Sequence, residues 1–148
     1  MHPTMAIRSL SIIIAGLVLF LPVLPQNIPA QNRPQITVLY DNYPGKEGLI
    51  AANGFSCLIR GTEKTILFDT GGNSEILLHN MKMLQIDPGT IDHIVISHYH
   101  DDHTGGLLSI LERNSKASVV IPEGFSDLEM LNRVTASGNK IVTVRQPT

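Results

Sequence analysis

Residues 97–106 read SHYHDDHTGG, and six consecutive positions within them, 98–103, hold three histidines and two aspartates. His98 and His100 are two apart on a chain leaving a strand, so both side chains can point the same way. Asp102 and His103 are adjacent where the backbone must turn into a following helix, so they approach the same pocket from another angle. Neutral imidazole nitrogen and carboxylate oxygen are the donors that bind Zn²⁺ at about 2.0–2.2 Å, and one ion rarely takes four ligands from so tight a loop. Two neighbouring ions fit the spacing better. A polar loop with clustered histidines is the bland alternative, but H-x-H-x-D-H arises by chance in roughly one chain in ten thousand of this length.

The chemistry that follows is hydrolysis by a metal-activated water. Cations lower the pKa of a coordinated water towards neutrality and polarise a carbonyl or phosphoryl oxygen. Asp102 adds negative charge and orients the attacking water, and no protein nucleophile is needed.

The surrounding elements must place these groups. ITVLYD (Ile36 to Asp41), FSCLIRG (Phe55 to Gly61) and KTILFDT (Lys64 to Thr70) are β-branched and aromatic runs separated by turn residues, which predicts an antiparallel meander. The period then changes: in NSEILLHNMKMLQ (73–85), Leu77, Met81 and Leu84 share one helical face, with Asn73 or Ser74 as cap. IDHIVIS (Ile91 to Ser97) reads as a buried strand feeding the histidine loop. Beyond it, GGLLSILERNS and GFSDLEMLNRVTAS read as helices, and ASVVIP and KIVTVR as strands. Strands that begin antiparallel and then alternate with helices indicate an α/β domain.

Composition limits the partners. With 148 residues, 43% hydrophobic and 16% charged, the chain has globular composition and room for about one domain. A net charge of -2, with 11 Lys and Arg scattered along the chain, gives no basic surface for nucleic acid, so a small-molecule substrate is the expected partner. The single cysteine, Cys57, excludes an intrachain disulfide and reads as a small core residue.

Residues 1–30 have the layout of a signal peptide or N-terminal anchor. Arg8 supplies a positive region, the run from Leu10 to Leu21 is apolar but short for a bilayer, and Pro22 and Pro25 end it. The expected location is therefore exported, periplasmic or extracellular, released or membrane-anchored. Residues 31–35 read as a linker, and folding is expected from Ile36.

The motifs resemble a known family. SHYHDDHTGGL resembles the H-x-H-x-D-H signature of the metallo-β-lactamase superfamily, and ILFDTGG (Ile66 to Gly72) is similar to that family's first motif with its aspartate. Ile36 to about Leu108 is similar to the branch of dihydropterin ribofuranosyl-aminobenzene phosphate synthase-like proteins. The resemblance implies an α/β fold, the αββα sandwich with metals at the sheet edges, incomplete here, with the first sheet and part of the second in residues 36–148. It also implies His98 and His100 on a first metal and Asp102 and His103 on a second, with Asp69 as the acceptor that fixes the metal loop. Zinc is the expected cofactor, two ions per complete site, although another divalent metal would serve the same donors. Family members hydrolyse lactams, thioesters, lactones and phosphodiesters, and the branch includes phosphate-ester or transfer chemistry.

Other candidates are weaker. Gly71 and Gly72 could offer backbone N–H groups to an anionic substrate, or merely make the turn. Asp41 and Asn42, with the YPG that follows, could overhang the site. His79 is expected on a solvated helix face and His93 as an ordinary packed or exposed histidine.

One departure from the family pattern stands out. That pattern requires a third histidine for the first metal, then a bridging aspartate and a final histidine, yet no histidine follows His103. Glu112, Glu123, Asp127 and Glu129 follow the packing pattern of helices rather than a pocket. The expectation is the N-terminal portion of a longer metallohydrolase, with an inert remnant or metal-binding module lacking the downstream ligands as the competing reading.

Overall fold

The β-branched runs form six strands: β1 (Gln35–Tyr40), β2 (Ser56–Arg60), β3 (Ile66–Phe68), β4 (His93–Val95), β5 (Ser118–Pro122) and β6 (Ile141–Val144). The structure is a computed structural model that describes residues 33–43 and 45–145, so the leader expected at 1–30 lies outside the described residues. The strands lie side by side in chain order in one sheet. β1, β2 and β3 pair antiparallel, as expected for a meander, and β3 to β6 pair parallel. Parallel neighbours need crossover connections. Helices supply them: α1 (Ser74–Met83) between β3 and β4, α2 (Asp101–Thr104) and α3 (Leu107–Leu111) between β4 and β5, and α4 (Leu128–Ala136) between β5 and β6.

Register explains where the core sits. Leu58, Leu67, Ile94 and Val119 align across four strands, each at most 1% exposed, and join Leu77, Met81, Leu107, Ile110 and Val134 from the helices in one cluster. Each such side chain, fully buried, contributes about 1.5–3 kcal/mol. The neighbouring row, Phe68, Val95, Val120 and Val142, belongs to the opposite face and is half-buried. Side chains alternate between the two faces of a strand, so the helices cover one face.

The portion of a second sheet expected from the sequence is not found among the described residues. β6 continues the first sheet instead, pairing with β5 from Val119↔Ile141 to Pro122↔Val144. The helix expected from Gly105 begins later, as α3 at Leu107, and the short α2 precedes it within the histidine motif. A Cβ on Gly105 would meet the Gly72 carbonyl oxygen at 2.4 Å, and one on Gly106 would meet the Thr70 carbonyl oxygen at 2.4 Å. The chain is pressed against the loop after β3 there, and only glycine fits.

Caps and buried amides fix the remainder. Asn73 caps α1, its side chain accepting from the amides of Glu75 and Ile76 at 2.9 and 3.1 Å. Asn80, buried on α1, donates to the carbonyls of Leu39 and Ile50 and accepts from the Ile50 amide, which fastens the 41–50 loop to the helix. Every buried side-chain polar atom among the described residues has a partner. Among those residues no helix is long and apolar enough to cross a membrane.

Candidate metal centre

The site forms where β3 and β4 end side by side, because their parallel pairing sends both following loops off the same edge. β3 leads into Asp69, whose φ of 54° is left-handed, a conformation aspartate tolerates better than most residues. β4 leads through Ile96 into Ser97 and the histidine loop. Asp69 is 1% exposed and works across this gap. Its Oδ1 accepts from the Ser97 amide at 2.7 Å, and its Oδ2 accepts from the Ser97 hydroxyl at 2.7 Å and stands 2.8 Å from His103 Nδ1.

This network assigns protons. Asp69 is an acceptor, so His103 carries its proton on Nδ1 and presents Nε2 outward. The Ser97 hydroxyl gives its one proton to Asp69 and therefore accepts from His98 Nδ1, 2.9 Å away. His98 then also presents Nε2. One buried carboxylate thus orients two imidazoles, directly and through Ser97, in the way metal-ligating histidines are commonly held.

Backbone contacts strap the loop down. The Thr70 amide and hydroxyl both donate to the His103 carbonyl, at 2.8 and 2.9 Å, and the Phe55 amide donates to the Asp102 carbonyl at 3.2 Å. Gly54, at φ 133°, lies where a Cβ would be 2.3 Å from that Asp102 oxygen. The Asp102 side chain receives a long hydrogen bond from Asn53 Nδ2 at 3.4 Å.

Ligand atoms of His98, His100 and Asp102 lie within 4.8 Å of one another. Donors around a tetrahedral zinc ion, each about 2.1 Å from it, stand about 3.4 Å apart. His100 is exposed, so a small side-chain rotation closes the difference, and the neutral-nitrogen and carboxylate donor set suits a divalent cation. The residues fit the group. Asp102 is within reach of both halves of the motif: it stands with His98 and His100, and its Oδ2 is 3.6 Å from His103 Nε2.

The weaker candidates fall elsewhere. The Gly71 amide is already donated to the Phe55 carbonyl at 2.9 Å, and a Cβ at Gly71 would fall 2.4 Å from the Tyr40 ring, so this glycine serves the turn rather than an anion. Gly72 is exposed beside the metal loop. Asn42 accepts from the Gly54 amide at 3.2 Å, and Asp41 accepts from the Asn42 amide at 2.6 Å, so both shape the loop behind Asp102. His79 is half-buried, its Nε2 2.9 Å from the Gly48 carbonyl, rather than solvated. His93 packs on the sheet with its Nδ1 2.6 Å from Ser118 Oγ, away from the pocket. Glu112 and Glu123 pair with Arg113 and Arg145, and Asp127 caps α4. Cys57 is buried, and burial, followed by the charge of Asp69, pushes its thiol up from the ordinary value. Sequence reasoning missed Ser97, Asn53 and Gly54. Only Ser97, adjoining His98, carried a signal by position.

Known proteins match much of the chain. The model of the metallo-beta-lactamase superfamily matches residues 50–143. A 7,8-dihydropterin-6-methyl-4-(beta-D-ribofuranosyl)-aminobenzene-5'-phosphate synthase from Methanocaldococcus jannaschii is 41% identical over 95 residues, which are 61% of this chain and 32% of that protein. The chain therefore spans about a third of that relative. Among solved structures, the short form of human tRNase Z matches with a TM-score of 0.53 at 20% identity, over 78% of this chain and 46% of that one. The metallo-beta-lactamase fold protein YhfI from Bacillus subtilis matches with a TM-score of 0.52 at 17% identity, over 77% and 47%. At these identities the structural matches show a shared fold.

Proposed function

Because the chain belongs to the metallo-β-lactamase superfamily, we propose that it carries the first metal-binding loop of a metal-dependent hydrolase acting on an ester, phosphoester or related bond. The observation that supports this reading is the convergence of His98, His100 and Asp102 beside an imidazole held by Asp69. Zinc is the cation proposed there. Bound divalent metal supplies Lewis acidity and makes hydroxide available near neutral pH. His98, His100 and Asp102 would hold it, His103 would ligate a neighbouring ion, and Asp102 would also accept a proton from the attacking water. Asp69 and Ser97 keep the two inner imidazoles in the tautomer that leaves Nε2 unprotonated. Asn53, donating to Asp102, limits its rotation.

The relative from Methanocaldococcus jannaschii is named for a phosphorylated compound, which favours a phosphoester among the candidate bonds. The apolar leader supports an exported protein, released or anchored. Hydrolysis of aryl phosphate, thioester and lactone substrates by the zinc-loaded chain tests the reading. Turnover that is abolished by a chelator and by Asp102→Ala is expected. Turnover that survives both would contradict it.

A further inference from the structure

Aromatic rings continue outward from the metal loop in an unbroken row. Ring centroids are 4.1 Å apart for His103 and His98, 4.8 Å for His98 and His100, 4.9 Å for His100 and Tyr99, and 6.4 Å for Tyr99 and Phe125. The last two contacts are edge-to-face, at 70° and 87°, the geometry in which one ring's positive edge meets another's negative face. Tyr99 is nonetheless 47% exposed. Phe125, on the loop after β5, is partly buried against the hydrophobic core, so its position is fixed from behind. A half-exposed tyrosine held between a candidate metal ligand and an anchored phenylalanine is an apolar wall at the rim of a polar site. Core packing does not require it.

We propose that Tyr99 and Phe125 form a specificity wall that selects substrates bearing a planar aromatic group next to the bond presented at the metal loop. This rests on the reading of His98, His100 and Asp102 as the reacting centre. An aromatic group on the substrate would lie against the exposed part of Tyr99, with its charged end towards the histidines. The sequence hides this relationship, because Phe125 lies on a different loop from the motif.

Binding of 2-naphthyl phosphate and ethyl phosphate to the full chain, with and without zinc, tests the proposal by calorimetry. The naphthyl ester should bind about tenfold more tightly, the scale of one good aromatic contact. Tyr99→Ala and Phe125→Ala should each remove most of that preference, and Tyr99→Phe should keep it. If Tyr99→Ala lowers zinc content through its contact with His100, Phe125→Ala, one ring further out, carries the test. Zinc-dependent binding of both esters without an aromatic preference would overturn the wall and leave the metal site standing. A Tyr99-dependent preference that ignores zinc would uphold the wall and overturn the metal reading. Binding of neither ester would overturn both.

Discussion

Asp69 Oδ2 lies 2.8 Å from His103 Nδ1, joining the end of β3 to the metal loop after β4 through one buried carboxylate. The left-handed backbone at Asp69 is the cost of that reach. Asp69→Ala should weaken zinc binding about 10–100-fold through misaligned imidazoles. It should also lower unfolding stability by about 2–3 kcal/mol, the scale of hydrogen bonds to a charged group. Zinc titration and urea unfolding check both effects.

Gly54 has no side chain to offer a metal, yet a Cβ there would fall 2.3 Å from the Asp102 carbonyl oxygen. Gly54→Ala should displace the loop carrying Asp102 and reduce zinc affinity at least as much as Asp69→Ala, while the far end of the sheet keeps its hydrogen-exchange protection. Unchanged affinity would show that the loop yields without consequence.

The role of Asp69 came only from the family resemblance, whereas the histidine motif, the meander and a helix cap at Asn73 or Ser74 were legible in the sequence because each rests on residue type and local spacing. The second sheet was not, since KIVTVR reads equally well as the next strand of the first sheet, and only its pairing with β5 decides the matter. The break between α2 and α3 was hidden for a related reason. Gly105 and Gly106 answer to the carbonyls of Gly72 and Thr70, more than thirty positions away in the chain. Within the site, the Asp102 grouping depends on side-chain placement around a turn, which spacing leaves open.

Asp92 offers a test of the sheet's far end. The Thr65 amide at 2.8 Å, and then Lys64 Nζ at 3.2 Å, hold its carboxyl below the ordinary carboxylate value. A lowered folded-state pKa gives stability that is present above the unfolded value and lost as pH falls through the folded one. The difference in thermal stability between the protein and Asp92→Asn should therefore be constant above about pH 5 and shrink below about pH 4. A difference that grows on acidification would reverse the assignment.

The proposed export rests on residues 1–35. Fusing them to a reporter active only outside the cytoplasm should give signal, and placing Arg at Ile13 and Leu17 should abolish it, because charge within the apolar run opposes insertion. A silent fusion would leave the run without that role.

Zinc affinity of the full chain, compared between His100→Ala and His93→Ala, tests the central claim most directly. His100 stands with His98 and Asp102, while His93 faces Ser118 on the sheet. The account predicts measurable zinc binding, at least tenfold weaker in His100→Ala and unchanged in His93→Ala. Equal affinity in His100→Ala and the unaltered chain, or an equal loss in both variants, would contradict it.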